Sequence, residues 1–379
     1  MEIRPSRPED VDQVEKLVVS RHDPSDGVDA RLLMTDPEAG CDWVGVADDG
    51  GRIVSTATLM DETLTLAGLD IPAGQIEQVA TDTDYEGQGL VRQLMGWAHD
   101  RSAERGHLLQ LVMGVPYFYR QFGYAYSIPV RQNRGLASRP EPVAGHTIRR
   151  ATEADIPALQ RLQDEAQRNA DLRMGHTTPC WRWLLNRTGS ITWIAERAGV
   201  PVATGRSTPE EEGDVVLGEL AGDDDGVKAL VAHLNPAEVG ERHPALEQHL
   251  APGNPELDQV MVRIPGVPAL LEHLRPVFAE RLRGHEPDDV LLSFYRSHVR
   301  FRWDGEELGP SEWGGTMQGP GAQGGAGIAP DLLAPLLFGP HGMDGLRRIF
   351  PDVYPGPKKD LMLKLFPPVT SDLLTFYLP

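Results

Sequence analysis

Leu90, Leu94 and Ala98 recur every four residues, with Val91 and Met95 beside them. That spacing predicts an amphipathic helix, which Gly106 stops. Residues 75–81 before it read as a strand, and Asp82-Thr-Asp-Tyr-Glu-Gly-Gln-Gly89 joins the two. A largely apolar strand follows at residues 108–113. Nearer the start, Val11, Val14, Leu17 and Val18 mark one face of a helix introduced by Ser6-Arg-Pro-Glu-Asp10. Residues 21–41 are polar and interrupted by Pro24, Gly27 and Pro37, which predicts a short helix and loops. Residues 43–47 and 53–59 flank Asp48-Asp-Gly-Gly51 as a hairpin, and residues 63–66 continue the meander as a further strand.

The pattern then repeats. Ile148-Arg-Arg-Ala-Thr-Glu-Ala-Asp-Ile156 mirrors Ile3-Arg-Pro-Ser-Arg-Pro-Glu-Asp-Val11, and Leu159 and Leu162 stand where Val14 and Leu17 stood. Ile191-Thr-Trp-Ile-Ala195 likewise echoes Cys41-Asp-Trp-Val-Gly45. A second copy of the first unit is expected, with the Pro-containing stretch 136–143 as the linker. The copy has no Gly-x-Gly before a helix; Gly222-Asp-Asp-Asp-Gly226 stands there instead. Glu210, Glu211, Glu212, Asp214, Glu219 and Asp223 to Asp225 follow one another without a Lys or Arg, and read as a solvated face that would repel an anion. From residue 261 the character changes to a short helix at 268–276, strands near 290–295 and 299–303, a Gly-rich stretch at 305–327 expected as a flexible hairpin loop, and a helix at 329–338. The expected division is 1–140, 145–260 and 261–379.

A strand that ends in Gly87-Gln-Gly89 and enters a helix leaves the first helical N–H groups free, which makes an anion site with the positive end of the helix dipole. Together with Val79-Ala-Thr before it and Tyr117-Phe-Tyr-Arg-Gln-Phe-Gly-Tyr124 after it, this stretch resembles a GNAT N-acetyltransferase, and the Tyr-x-x-Phe-Gly-Tyr form resembles the enhanced intracellular survival (Eis) branch. The resemblance implies an α+β chain of tandem GNAT-type folds, the first active and the second degenerate, followed by a sterol-carrier-like domain. Acetyl-CoA is the implied cosubstrate, held by Val79, Ala80 and Thr81 along the pantetheine and by Gly87, Gln88, Gly89, Leu90, Val91 and Arg92 at the pyrophosphate. Tyr119 matches the family's general acid, and the carboxylate of Pro379, after the apolar run Leu373-Leu-Thr-Phe-Tyr-Leu378, matches the base; Glu77 is its rival. Tyr117 and Tyr124 are expected to pack or wall the substrate. The implied reaction is direct acetyl transfer to a primary amine of a small molecule or peptide, and a homo-oligomer is a further implication of the resemblance. A non-catalytic small-molecule or lipid carrier on the same fold is the alternative, and coenzyme affinity separates the two.

Composition narrows the partners. A net charge of −20 opposes binding to nucleic acid or anionic membranes and favours cationic amines. No apolar run approaches ~18 residues, so a cytoplasmic protein is expected. Cys41 and Cys180 lack metal spacing and read as inert thiols, no metal site is expected, and His243 and His249 read as surface histidines. One tension remains within the loop: Asp82, Asp84 and Glu86 are acids where a pyrophosphate is to be received.

Overall fold

The computed structural model describes residues 1–130, 132–209, 213–253 and 258–374. Among them the turn at Gly50 and Gly51, both at positive φ, pairs Val44–Asp49 with Arg52–Leu66. Residues 63–66 are not a separate strand. They end the fifteen-residue strand Arg52–Leu66, which stays paired with Leu69–Thr81 from Ser55↔Thr81 to Leu66↔Leu69. Ala67 and Gly68, with φ of 49° and 87°, make the two-residue turn between them. The strand persists because its side chains are buried along nearly its whole length.

The first sheet runs in the order Glu2–Pro5, Val44–Asp49, Arg52–Leu66, Leu69–Thr81, Leu109–Val112, Gln259–Arg263, Ala125–Pro129. Leu69–Thr81 and Leu109–Val112 are parallel, so the chain must cross over between them, and helix Leu90–Glu104 makes that crossover. Gln259–Arg263 straddles the expected boundary at 260/261 and belongs to this sheet. Val260 and Val262 enter one core, while Met261 enters another with Leu59, Ile76 and Tyr119. Residues 21–41 contain a twelve-residue helix, Pro24–Thr35. Its Gly27 is a packing residue, since a Cβ there would lie 2.3 Å from Val19 Cγ2 on the preceding helix.

The second sheet runs Asn133–Gly135, Glu238–Gly240, Val216–Gly222, Val200–Ser207, Ile191–Arg197, His146–Arg150. Its entry copies that of the first at the level of ion pairs. Arg4 bridges Asp10 at 2.7 Å and Asp48 at 2.8 Å, while Arg149 bridges Asp155 at 2.7 Å and Glu196 at 2.6 Å. The two-residue match of Arg and Asp in the sequence repeat is thus the signature of a clamp from the strand to the start of the helix. Asn133–Gly135 lies in this sheet although residues up to 140 were assigned to the first unit.

Two residues expected at the surface are interior. The Glu219 side chain is only 8% exposed; burial alone would raise its carboxyl, but Arg206 at 2.7 Å and the hydrogen-bonded His176 at 2.9 Å hold it down at about 2. His243 is buried because it ties a bend: its Nε2 reaches Gly222 O at 3.0 Å, and its Nδ1 accepts from Ala245 N at 3.3 Å. Glu210 to Glu212 lie outside the described residues. The Gly-rich stretch 305–327 is more ordered than a loop, containing strands Glu312–Gly314 and Ala326–Ile328 of the five-stranded third sheet. That sheet shares one hydrophobic core with the first: Leu66, Ile71, Leu109 and Val260 join Phe278, Phe301, Trp303 and Phe366. Among the described residues, no helix is long and apolar enough to cross a membrane.

Candidate active site

Leu69–Thr81 pairs with Leu109–Val112 only from Ala73↔Leu109 to Ile76↔Val112. Beyond Ile76 it stays paired with Arg52–Leu66 on its other edge, so the sheet opens into a cleft beside Glu77 to Thr81. A bulge opens there too: Gln78 takes φ 49°, and the register shifts between Thr56 and Thr58. Helix Pro24–Thr35 and the turn before it hold this irregular backbone. Gln78 Nε2 donates to Asp26 O at 3.2 Å, and His22 Nε2 lies 3.1 Å from Val79 O.

The cleft leads to the glycine turn. Gly87 and Gly89 have φ of 75° and 77°, a region costly to side chains, and a Cβ on either would point into open space. The first intrahelical bond runs from Gln93 N to Gly89 O, so the amides of Leu90, Val91 and Arg92 are left for a ligand. A cavity of about 290 Å³ opens on them, lined by Thr81, Gly87, Gly89, Val91, Arg92 and Phe122 among others. The Arg92 guanidinium bonds Gln121 Oε1 at 2.8 Å and lies 5.4 Å from the Phe122 ring centre.

Two of the three loop acids are compensated. Asp82 accepts from Asp84 N at 3.0 Å and pairs with Arg52 at 2.7 Å, which holds its carboxyl below the usual range. Glu86 pairs with Arg21 at 2.5 Å, and Asp84 is exposed. Exchange of Glu86 for Arg is expected to tighten coenzyme binding by about 1 kcal/mol or less, part of it from release of Arg21. Titration calorimetry at low salt reads this, and unchanged affinity would show that the side chain points away from the phosphates.

Tyr119 sits in the short 3₁₀ helix Phe118–Phe122, closed by Gly123 at φ 87°. Its ring packs on the backbone of Gly114, where a Cβ would come within 2.8 Å of it. Phe118 and Tyr124 meet it edge-on, with ring centres 5.1 Å and 6.2 Å away. The hydroxyl has no hydrogen-bond partner among the described residues. Burial, then the negative charge of Glu77, push its pKa up to about 12, so it stays a proton donor. Glu77 is buried and accepts from Gln75 Nε2 at 2.5 Å. The two other tyrosines part company. Tyr124 is buried with its hydroxyl 3.1 Å from His99 Nε2, whereas Tyr117 is 74% exposed. Pro379 lies outside the described residues; Ser371–Leu373, shortly before it, pairs with Leu172–Met174, which pairs with the end of Arg52–Leu66. Sequence reasoning passed over Gly114, whose signal was only its place after an apolar strand.

The matching place in the second sheet is closed. Strand Val216–Gly222 leads into helix Asp224–Leu234, but Asp223 accepts from Gly226 N at 2.7 Å and pairs with Arg197 at 2.5 Å. Its carboxylate occupies the Gly226 amide and sets a negative charge where a phosphate would have to sit. One coenzyme per chain is therefore expected by calorimetry, and two equivalent sites would contradict this account. Cys180 is buried with its Sγ 3.3 Å from His176 Nδ1, and burial raises its thiol well above the ordinary range, so it is inert.

Residues 2–127 match the family model described as an acetyltransferase (GNAT) domain. No curated protein matches the sequence. Solved structures share the fold over nearly the whole chain. A GCN5-related N-acetyltransferase from Anabaena variabilis ATCC 29413 aligns over 98% of this chain and 97% of its own, with 12% identity and a TM-score of 0.70. One from Kribbella flavida aligns over 99% and 100%, with 17% identity and a TM-score of 0.68. Eis1 from Mycobacterium abscessus aligns over 98% and 99%, with 14% identity and a TM-score of 0.62. At such identities the likeness is one of fold.

Proposed function

We propose, from the match of residues 2–127 to the GNAT acetyltransferase domain model, that the chain is an N-acetyltransferase that moves an acetyl group directly from acetyl-CoA to a primary amine. The observation that supports this reading is the gap in the sheet beside Glu77 to Thr81, followed by the free amides of the glycine turn, with Tyr119 packed in one cluster with Ile76 and Val79. Acetyl-CoA supplies an activated thioester. The amides of Leu90 to Arg92 and the Arg92 side chain hold its phosphates, and the backbone near Val79 donates to the thioester carbonyl. A fixed donor aimed at developing negative charge is worth ~3 kcal/mol in barrier height.

The amine nitrogen forms a bond to the carbonyl carbon as the carbon–sulfur bond breaks. Its ammonium, with a free pKa of ~10.4, must first lose a proton to a base. In this proposal that base is the Pro379 carboxylate, and Glu77 is the rival. Tyr119 donates to the leaving thiolate. A phenol near 12 is a weak acid for a thiolate of ~8.5, so it acts as a hydrogen-bond donor until the charge on the sulfur is fully developed. A cation beside Glu77 screens the charge that helps to raise Tyr119, so arrival of the amine assists the donor. The proposal also keeps the cytoplasmic setting expected from composition, and the homo-oligomeric assembly and sterol-carrier-like C-terminal part implied by the resemblance. No lipid is assigned there, because Phe278, Phe301 and Phe366 meet edge-on in its core.

The test is thiol release and product mass with acetyl-CoA and a panel of primary amines. Saturable binding of acetyl-CoA without acetylation of any amine would overturn the reading. Because Tyr119 keeps its proton to about 12, turnover is expected not to fall between about pH 7 and about pH 10. A basic limb within that range would assign proton donation to another group.

A further inference from the structure

The short helix that carries Tyr119 faces two cavities. Phe118, Gln121 and Phe122 line the one at the glycine turn, whereas Arg120 lines a second, of about 400 Å³. The second cavity opens where the outermost strand of the first sheet, Ala125–Pro129, meets helices Leu333–Phe338 and Gly342–Ile349. Its walls are held close. A Cβ on Gly339 would lie 2.9 Å from Ser127 O, so the glycine is what lets the end of the first of these helices reach the strand. The size, and an apolar lining with a few polar groups, are those of a small-molecule site. Among the described residues the fold leaves nine large apolar side chains exposed, and three of them, Tyr126, Ile349 and Phe350, line this cavity. A fourth, Tyr117, adjoins it, its N–H bonded to the Tyr126 hydroxyl at 2.8 Å. Single exposed apolar residues are ordinary, but a group of them around a cavity marks a binding surface.

The charges of the lining say what kind of molecule fits. Arg120 and Asp331 both line the cavity, and neither makes an ion pair or a side-chain hydrogen bond among the described residues. They do not pair with each other, so a ligand has to span them. Arg120 lies 5.6 Å from the Tyr117 ring centre, which backs the guanidinium on one side and leaves its donors for an anion. With His341 counted as neutral, the lining carries one charge of each sign. An anion alone would leave Asp331 unmet, and a cation alone would leave Arg120 unmet. We propose that this cavity binds a zwitterion with an apolar body, an amino acid or short peptide, its carboxylate on Arg120, its ammonium on Asp331 and its apolar part on Tyr126, Ile349 and Phe350. Binding here does not depend on acetyl transfer, and either can fail without the other.

The test is calorimetry on the full chain without acetyl-CoA. The probes are L-phenylalanine, 3-phenylpropanoate, which lacks the ammonium, and 2-phenylethylamine, which lacks the carboxylate. Saturable binding of phenylalanine is expected, with each singly charged analogue weaker by about fivefold, the most that an exposed ion pair supplies. Arg120→Gln is expected to remove the advantage of phenylalanine over 2-phenylethylamine, and Asp331→Asn its advantage over 3-phenylpropanoate. Glycyl-phenylalanine run beside them separates the two sources: tighter binding of the dipeptide makes a peptide the ligand, and weaker binding a free amino acid. Absence of saturable binding by phenylalanine and the dipeptide alike overturns the proposal. So does equal affinity of the wild-type chain for the three probes. Phenylalanine binding that is unchanged in both variants overturns it too, by placing the molecule elsewhere, such as at the acceptor site. Both exchanged residues are exposed, and should either variant fail to fold, the wild-type comparison of the probes still decides.

Discussion

Replacing Tyr119 by Phe is expected to lower turnover about 10²- to 10⁴-fold while coenzyme affinity stays nearly constant. The ring is what the fold uses: it lies on Gly114 and against Phe118 and Tyr124, and Phe keeps all of those contacts. The hydroxyl makes no hydrogen bond among the described residues, so its removal orphans no neighbour and should cost little stability. In the proposed mechanism its proton serves the leaving thiolate. Single-turnover kinetics with a saturating amine, beside calorimetry for the coenzyme, separate the two quantities. Wild-type turnover in the variant would leave Tyr119 a packing residue.

The second large effect concerns the base. Deletion of Tyr377, Leu378 and Pro379, or extension past Pro379 by a few glycines, is expected to cut amine acetylation by about 10²-fold or more. Coenzyme binding should change little, since the glycine turn and the cleft beside Val79 lie elsewhere in the chain. What supports this is the anchoring of the segment before it: Ser371–Leu373 is paired beside Leu172–Met174, and Asp372 is locked to Arg242 at 2.7 Å. Glu77→Gln is the control. Loss of turnover in that variant, with tail variants active, would move the base to Glu77. The Tyr119 donor would then lose part of what raises its pKa as well, because the charge of Glu77 contributes to that shift.

The contrast between Gly89 and the partners of Asp82 and Glu86 shows how much of the site could be read from the chain. Gly87-Gln-Gly89 was legible because its constraint is local: both glycines need positive φ, and the free amides follow from the start of any helix. Tyr119 was legible by resemblance, through the motif from Tyr117 to Tyr124, but its burial and its nearness to Glu77 were not. Asp82 and Glu86 looked like obstacles to a phosphate, and only the fold revealed Arg52 and Arg21 across from them. Arg52 is a strand away and Arg21 ends the first helix, so no spacing along the sequence links them to the loop. His243 and Glu219 were misplaced at the surface for the same reason, since their partners Gly222, Arg206 and His176 come from other strands and turns.

By itself the sequence determined the elements whose causes lie within a few residues: the capped first helix, the hairpin at Gly50 and Gly51, the glycine turn and its helix, and the repeat that carries Arg149 and Asp155 as copies of Arg4 and Asp10. Tertiary structure alone decided that Gln259–Arg263 completes the first sheet, that Arg52–Leu66 runs unbroken, and that the third sheet shares the first sheet's core. It also decided which buried charges are compensated. Periodicity and turn chemistry act through neighbours in the chain, whereas sheet order and the pairing of buried charges depend on groups that meet only after the chain has folded.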